Sequence, residues 1–354
     1  MKILLLIPAP KKISPSQRFR VEQYIHLPEG QHLSFEAHPF FSPKTWSIFH
    51  VKGHYIEKLT GILAGFLRRW MTMFQLGQYD FVYVHKEAAP IGPPIFEWII
   101  SRICRKKMIY DFDDNIWTSL SSEANPGAAL VKCNWKVSHI CKYSHIVTVG
   151  NTFLADYAKQ YNHDVRIIPT VINTEKYHNK IKDQSNNKLT IGWTGTYTNL
   201  HNLTIIEAVI AALQAKYHFN FLVIANKDPQ LKKIAYAYKK WNIKTEIEDL
   251  MEMNIGVMPL AGSVVEMGKC GFKAIQYASL GIPAVVSPVG ANKEVVTHNE
   301  TGFWANNTEE WYAFLEQLIL SESLRSEMGI NGRNKMIASY SVEANKEKFF
   351  ALFN

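Results

Sequence analysis

Short apolar runs rich in β-branched residues recur along the chain, each followed by a stretch of helical periodicity. That alternation confines the fold to parallel sheets joined by helical crossovers. The first series is KILLLIPA (2–9), FVYVH (81–85), KMIYDF (107–112), HIVTVG (145–150) and VRIIPT (165–170). A polar segment, HNKIKDQSNNK (178–188), breaks the rhythm and reads as a linker. The rhythm restarts with LTIGWTGT (189–196), FNFLVIAN (219–226), NIGVMPL (254–260) and IPAVVSPVG (282–290), and it ends in helices around 308–320 and 341–353. Two Rossmann-like α/β domains in series are expected, with ligand sites in the loops just after the strands and a cleft between the domains.

A chain of 354 residues is too long for one ordinary core and suits two such domains. The apolar run that opens MKILLLIPAP spans only Ile3–Ile7 before Pro8, too short for an export signal, so it reads as a first buried strand. The most apolar windows carry Arg68, Arg69, Glu97 or Arg102, which argues against a spanning helix. Cys104, Cys133, Cys141 and Cys270 form no C-x-x-C pair, so neither a zinc site nor a disulfide framework is indicated and a reducing cytoplasm fits. Residues 1–179 hold 21 Lys and Arg against 14 Asp and Glu, while the remainder holds 18 against 17. The basic excess is therefore N-terminal, pointing either to an anionic partner such as a membrane surface or to scattered solubilising lysines. No aromatic-interleaved basic platform suggests nucleic acid.

Two places in the second half carry binding chemistry. The strand at 189–196 runs into Gly192-Trp193-Thr194-Gly195-Thr196, where glycine lets backbone N–H groups approach a phosphate or simply permits close packing; a helix is expected from about Asn202. Residues 268–296 are denser: Lys269, Gly271 and Lys273 lead into a helix (Ala274–Leu280), Gly281 ends it, and a strand from Pro283 to Ser287 closes on Pro288-Val289-Gly290. Lysines and glycines at a helix N-terminus make an anion site, and the like charges at i, i+4 favour an anion between them over a merely solvated face.

The stretch QYASLGIPAVVSPVGANKEVV (276–296) resembles the nucleotide-sugar-binding segment of retaining glycosyltransferases of family 4, with Glu294 in the matching place. MIYDFDDNIW (108–117), VHKEAAPIGPPIFEW (84–98), SPSQRFRVEQY (14–24) and SYSVEANKEKFFALF (339–353) are similar to bacterial cell-surface-polysaccharide members. The resemblance implies a GT-B fold. An N-terminal acceptor-binding domain would span 1–177, with a linker at 178–188. A nucleotide-sugar-binding domain would span 189–338, and a helix at 339–354 would cross back to the first domain. It also implies a hexosyltransferase-type enzyme, retaining and metal-independent, that uses a nucleotide-diphosphate sugar as co-substrate and needs no cofactor. The acceptor would be a hydroxyl of a glycan or lipid-linked glycan. Both glutamates of the family's E-x₇-E motif are absent: Gln276 stands at the second position and Gly268 at the first, with Glu266 nearby. A catalytically silent nucleotide- or glycan-binding protein, or a nucleotide-sugar epimerase or hydrolase, is the alternative.

On this reading Gly195, Thr196, Lys269, Gly271, Lys273, Gln276, Gly290 and Glu294 bind the donor, and Lys273 stabilises the leaving diphosphate. Asp111, Asp113 and Asp114 follow the strand 107–112 and are expected at the cleft; Asp113 and Asp114 are the catalytic candidates, contacting acceptor hydroxyls, with helix capping as the other role for Asp114. Arg18 and Arg20 offer a bidentate grip on a phosphate-bearing acceptor or are solvated loop residues. His85 joins Asp113 as an acceptor candidate. The stretch GILAGFLRRWMTMFQLGQ (61–78) suits either an anionic membrane surface or a helix packed on its own sheet. The expected location is the cytoplasm, with peripheral contact at the inner face of its membrane.

Overall fold

The computed structural model describes residues 1–49, 51–118, 131–185 and 188–354. They form two compact units: Met1–Thr170 together with Asn345–Asn354, and Val171–Ala344.

The first unit is built on a six-stranded sheet of β1 (Lys2–Ile7), β2 (Ser34–Pro39), β3 (Phe81–His85), β4 (Lys107–Phe112), β5 (Ile146–Val149) and β6 (Val165–Ile167), in the order β2-β1-β3-β4-β5-β6. Every neighbouring pair is parallel. The apolar runs that announced β1, β3, β4 and β5 are buried along their length, as central parallel strands must be. Residues Asn345–Asn354 pack here: Phe349 stacks on Tyr24 at 4.2 Å, and Phe353 meets Phe81 edge-on at 5.7 Å. Aromatic stacking and burial hold this terminal segment.

The second unit repeats the plan with β7 (Thr190–Gly195), β8 (Asn220–Ala225), β9 (Ala237–Lys240), β10 (Ile255–Met258), β11 (Ala284–Val286) and β12 (Gly302–Trp304), all parallel, in the order β12-β11-β10-β7-β8-β9. Its core gathers Trp193, Ile210, Phe221, Val257, Val285 and Trp311. Gly256 lies under the Tyr277 ring of the helix Phe272–Ser279 and Gly192 under the Met253 side chain, so a β-carbon at either would collide with the side chain packed on it.

Three local expectations are revised. A nine-residue 3-10 segment, Tyr197–Ile205, follows β7, so the helix starts at Glu207 instead of Asn202. The polar segment at 178–188 is packed into the second unit over its described part. Lys182 N donates to Leu280 O at 2.7 Å, and the buried Gln184 amide reaches Asn254 O and Gly281 O. Asn186 and Asn187 of that segment lie outside the described residues. The helix Tyr55–Phe74 turns Lys58, Gly61, Gly65, Arg69 and Thr72 inward and most of its large apolar side chains outward.

Candidate functional site

In the second sheet, the direction in which strands are added reverses beside β7: β8 and β9 build outward on one side and β10, β11 and β12 on the other. A crevice opens at such a switch point, beyond the carboxyl ends of β7 and β10. β7 delivers Gly195 and the exposed Thr196 to this place. A β-carbon on Gly195 would stand 2.5 Å from the Trp193 ring and 2.9 Å from Lys273 Cε, so only glycine lets Lys273 lie across this strand end. Lys273 Nζ sits over the Trp193 ring, 5.4 Å from its centroid.

Lys273 is in the first turn of the helix Phe272–Ser279, whose N-cap Gly271 takes φ 67, a left-handed conformation suited to glycine. Lys269 Nζ donates to Asn199 Oδ1 at 2.7 Å, and Asn199 Nδ2 donates to Thr196 Oγ1 at 3.1 Å. Both lysines are thus tied to residues around the end of β7. Glu266, close to the vacant first glutamate position, spends its carboxylate on a capping box with Ser263 and lies 3.9 Å from Lys269. Burial opposes its ionisation, but the Ser263 backbone N–H and Lys269 hold its carboxyl below the usual range.

The turn after β11 closes on the same helix N-terminus. Gly290 has φ 53, and a β-carbon there would meet Met267 O at 2.6 Å; one on Gly271 would meet Val295 Cγ2 at 2.9 Å. Glu294 is exposed on the short helix Asn292–Val295, and its carbonyl accepts from Lys335 Nζ at 2.6 Å. Gln276 is buried and donates through Nε2 to Glu246 Oε1 at 3.4 Å, which also accepts from Trp241 Nε1 at 3.2 Å. A carboxylate therefore stands beside the position where the family's second glutamate is missing, contributed from a different helix.

The first sheet has its own switch point between β1 and β3. The loop after β1 brings Ser16 to the end of β3, where Ser16 Oγ lies 3.0 Å from His85 Nε2. His85 Nδ1 lies 2.8 Å from Asp111 Oδ2, and Thr148 Oγ1 donates to Asp111 Oδ1 at 2.7 Å. Arg20 completes the cluster, donating to both Asp111 oxygens and to Ile168 O. Burial alone would raise the Asp111 pKa, yet Arg20 and His85 hold it well below the usual carboxylate range. Beyond it Lys86, at φ 62, pairs with Asp113 at 3.1 Å. Asp113 is likewise held below its ordinary range: burial opposes ionisation, and Lys86, His85, Arg20 and the Ser16 hydroxyl overcome it.

Two expectations change here. Asp111 lies inside β4 and is fully buried, with its carboxylate taken up by the sheet's polar cluster of Arg20, His85 and Thr148. Arg20 is buried too; its bidentate grip is on Asp111, leaving Arg18, whose guanidinium is 4.8 Å from the Phe19 ring centroid, as the half-exposed arginine of the loop. Asp114 caps no helix among residues 115–118, where Asn115 Oδ1 accepts from Thr118 N at 3.1 Å. From the sequence, Trp193 is expected only as part of the Gly192–Thr196 turn and not as a partner of Lys273, and Asn199 and Glu246 carry no motif. Asp111 did give a signal, since a carboxylate within an apolar strand requires a buried cation.

Two parallel sheets, each with helices and a strand-end switch point, define the GT-B class of fold. Residues 188–321, which lie within the second unit, match the family model described as glycosyl transferases group 1. No curated protein matches the chain in sequence. Among solved structures, sucrose-phosphate synthase from Thermosynechococcus elongatus is similar over 100% of this chain and 98% of its own, at 14% identity and TM-score 0.68. Anabaena HepE in complex with UDP-glucose is similar over 99% and 98%, at 14% identity and TM-score 0.67. A glycosyltransferase from Rickettsia africae is similar over 99% and 97%, at 14% identity and TM-score 0.67.

Proposed function

We propose that the protein transfers a sugar from a nucleotide-diphosphate sugar to a hydroxyl of a glycan or lipid-linked glycan at a membrane face, with retention of anomeric configuration and without a metal ion. The donor is held by residues 189–338 and the acceptor by residues 1–177. The observation that carries this reading is the gathering of Lys269 and Lys273 around Gly195 and Thr196 at the second switch point. A diphosphate seated there gains two ammonium groups, the amides of a helix N-terminus and the Thr196 hydroxyl. The match to the group 1 glycosyltransferase model and the UDP-glucose bound by Anabaena HepE favour a nucleotide sugar over a free phosphate.

As the glycosidic bond lengthens, negative charge builds on the β-phosphate, and Lys273 stabilises it. The departing phosphate oxygen takes the acceptor hydroxyl's proton on the same face that the sugar leaves, which retains configuration without a protein nucleophile. Asp113, kept ionised, orients the acceptor hydroxyl with Asp114 beside it, and Ser16, Arg18 and Lys86 shape that side. Gln276 meets the ribose side of the donor through its carbonyl oxygen while its amide donates to Glu246.

The test is incubation with a panel of nucleotide sugars and glycan acceptors in chelator, with the product anomer read by NMR. An α-linked product from an α-linked donor supports the reading. Nucleotide binding without turnover would make this a binding protein, and donor loss without acceptor would make it a hydrolase or epimerase.

A further inference from the structure

The helix Tyr55–Phe74 is amphipathic in the reverse sense for a surface helix. Of its buried residues, Lys58, Gly61, Gly65, Arg69 and Thr72 are polar or small and only Met73 is a large apolar one, with Phe66 packed part-buried against Phe40. Arg69 is buried and donates to Ala88 O, His38 O and Ile7 O at 2.6, 2.7 and 2.9 Å, and Lys58 donates to Val51 O at 2.6 Å. Gly61 lies against Thr45 and Gly65 against the Phe40 ring, so the backbone approaches closely where a core helix would interpose leucines. Carbonyl oxygens at the ends of β1 and β2 and just after β3 thus anchor the helix, and its large apolar side chains are left outside.

Those side chains form a row: Ile56, Leu59, Leu63, Leu67, Trp70 and Phe74, from 44% to 87% exposed. Steps of three and four place them on one face over about 27 Å of helix. Trp70 packs edge-on against Phe96 at 5.2 Å, which extends the face towards the exposed Ile95 and Trp98. A continuous apolar stripe of this length marks an interaction face.

We infer that this stripe docks the protein on an anionic lipid surface. The charges around it select the occupant. Lys44, close enough to act on Glu57, and Lys52 are exposed at the helix N-terminal end. At the other end Lys106 Nζ donates to Tyr79 O at 2.6 Å, with Arg102 and Arg105 exposed nearby in sequence. Glu57 is the helix's one acidic residue. A second copy would set these basic rims against each other, whereas anionic headgroups neutralise them while the acyl region takes the apolar row. Exposed Trp70 and Trp98 suit the boundary between the two. The inference deepens the reading of a lipid-linked acceptor but stands on the helix alone.

The experiment is co-sedimentation of the full chain with phosphatidylcholine vesicles, with and without phosphatidylglycerol, alongside size-exclusion chromatography. Leu63→Glu/Leu67→Glu, at two exposed positions, is the comparison, with its melting temperature and its thermal shift by nucleotide sugar measured to confirm the fold. Salt-sensitive binding to the phosphatidylglycerol vesicles, reduced tenfold or more in the variant with donor-induced shift unchanged, is expected. No binding by the wild type, equal binding by the folded variant, or a dimer that the variant dissociates would each overturn the inference. Donor binding is read separately, so loss of the transferase reading and loss of this one are told apart.

Discussion

Lys273 Nζ lies over the Trp193 ring, 5.4 Å from its centroid, and both pack against the bare backbone of Gly195. The end of the second unit's central strand is thereby joined to a helix N-terminus by one ammonium group. Gly195→Ala should leave the fold intact at a cost of about 1–3 kcal/mol, typical of overpacking. Because the new methyl group competes with Lys273 Cε, nucleotide-sugar affinity should fall about tenfold, equivalent to ~1.4 kcal/mol. Calorimetric titration of the variant checks this, and unchanged affinity would count against the placement of the diphosphate.

Gln276, which stands where the resembled motif has its second glutamate, pairs with Glu246. Gln276→Glu would put a second carboxylate at the 3.4 Å contact now made by the amide. One of the two acids must then hold its proton, with a raised pKa. The folded-state pKa is thus above the unfolded one, so the penalty is full at neutral pH and is relieved as pH falls through the raised value. Thermal melts should show the variant destabilised at pH 8 and recovering towards pH 5, with Gln276→Glu/Glu246→Gln close to wild type throughout. Equal melting of the single and double variants at pH 8 would refute the pairing.

Asp111 predicts an acid-side stability loss. Its folded pKa is depressed by Arg20 and His85, so its contribution is full above the unfolded value of roughly 4 and is lost as pH falls through the lower folded value. Arg20→Met should cost about 3–5 kcal/mol at pH 7, because it strands a buried carboxylate. Urea unfolding from pH 7 towards 3 should show the gap between wild type and Arg20→Met narrowing with acid. A constant gap would mean that the ion pair is not its source.

Phe349→Ala removes the ring stacked on Tyr24 and should destabilise the first unit by about 3–5 kcal/mol, as for large-to-small changes at buried aromatics. Hydrogen exchange resolved by segment would locate the loss in residues 1–170 and 345–354. Loosening confined to 171–344 would contradict the assignment of the terminal segment.

The strands were legible where burial on both faces produces an unbroken apolar run: 81–85 and 107–112 coincide with β3 and β4. β2 and β9 were not, because lateral strands such as AYKK (237–240) are half polar and carry little pattern, and β12 is too short, at three residues, to show one. The clustering of lysines and glycines in 268–296 was legible because helix-terminal chemistry is local in sequence, and Lys269 and Lys273 do meet residues around the end of β7. Arg20 with Asp111, and Gln276 with Glu246, were hidden because each pair forms only when distant strands and helices meet. The Tyr55–Phe74 helix misleads in a different way: its period is evident, but the side facing the protein follows from carbonyl acceptors on three other segments.

The most direct test of the donor site is the dissociation constant for a nucleotide-diphosphate sugar, measured by calorimetry on the wild type, Lys273→Ala and Lys269→Ala/Lys273→Ala. Loss of charge-assisted contacts of about 1.5–3 kcal/mol each predicts weakening of roughly tenfold or more for the single variant and further weakening for the double, with melting temperatures near wild type. Wild-type affinity in the folded double variant would contradict the account.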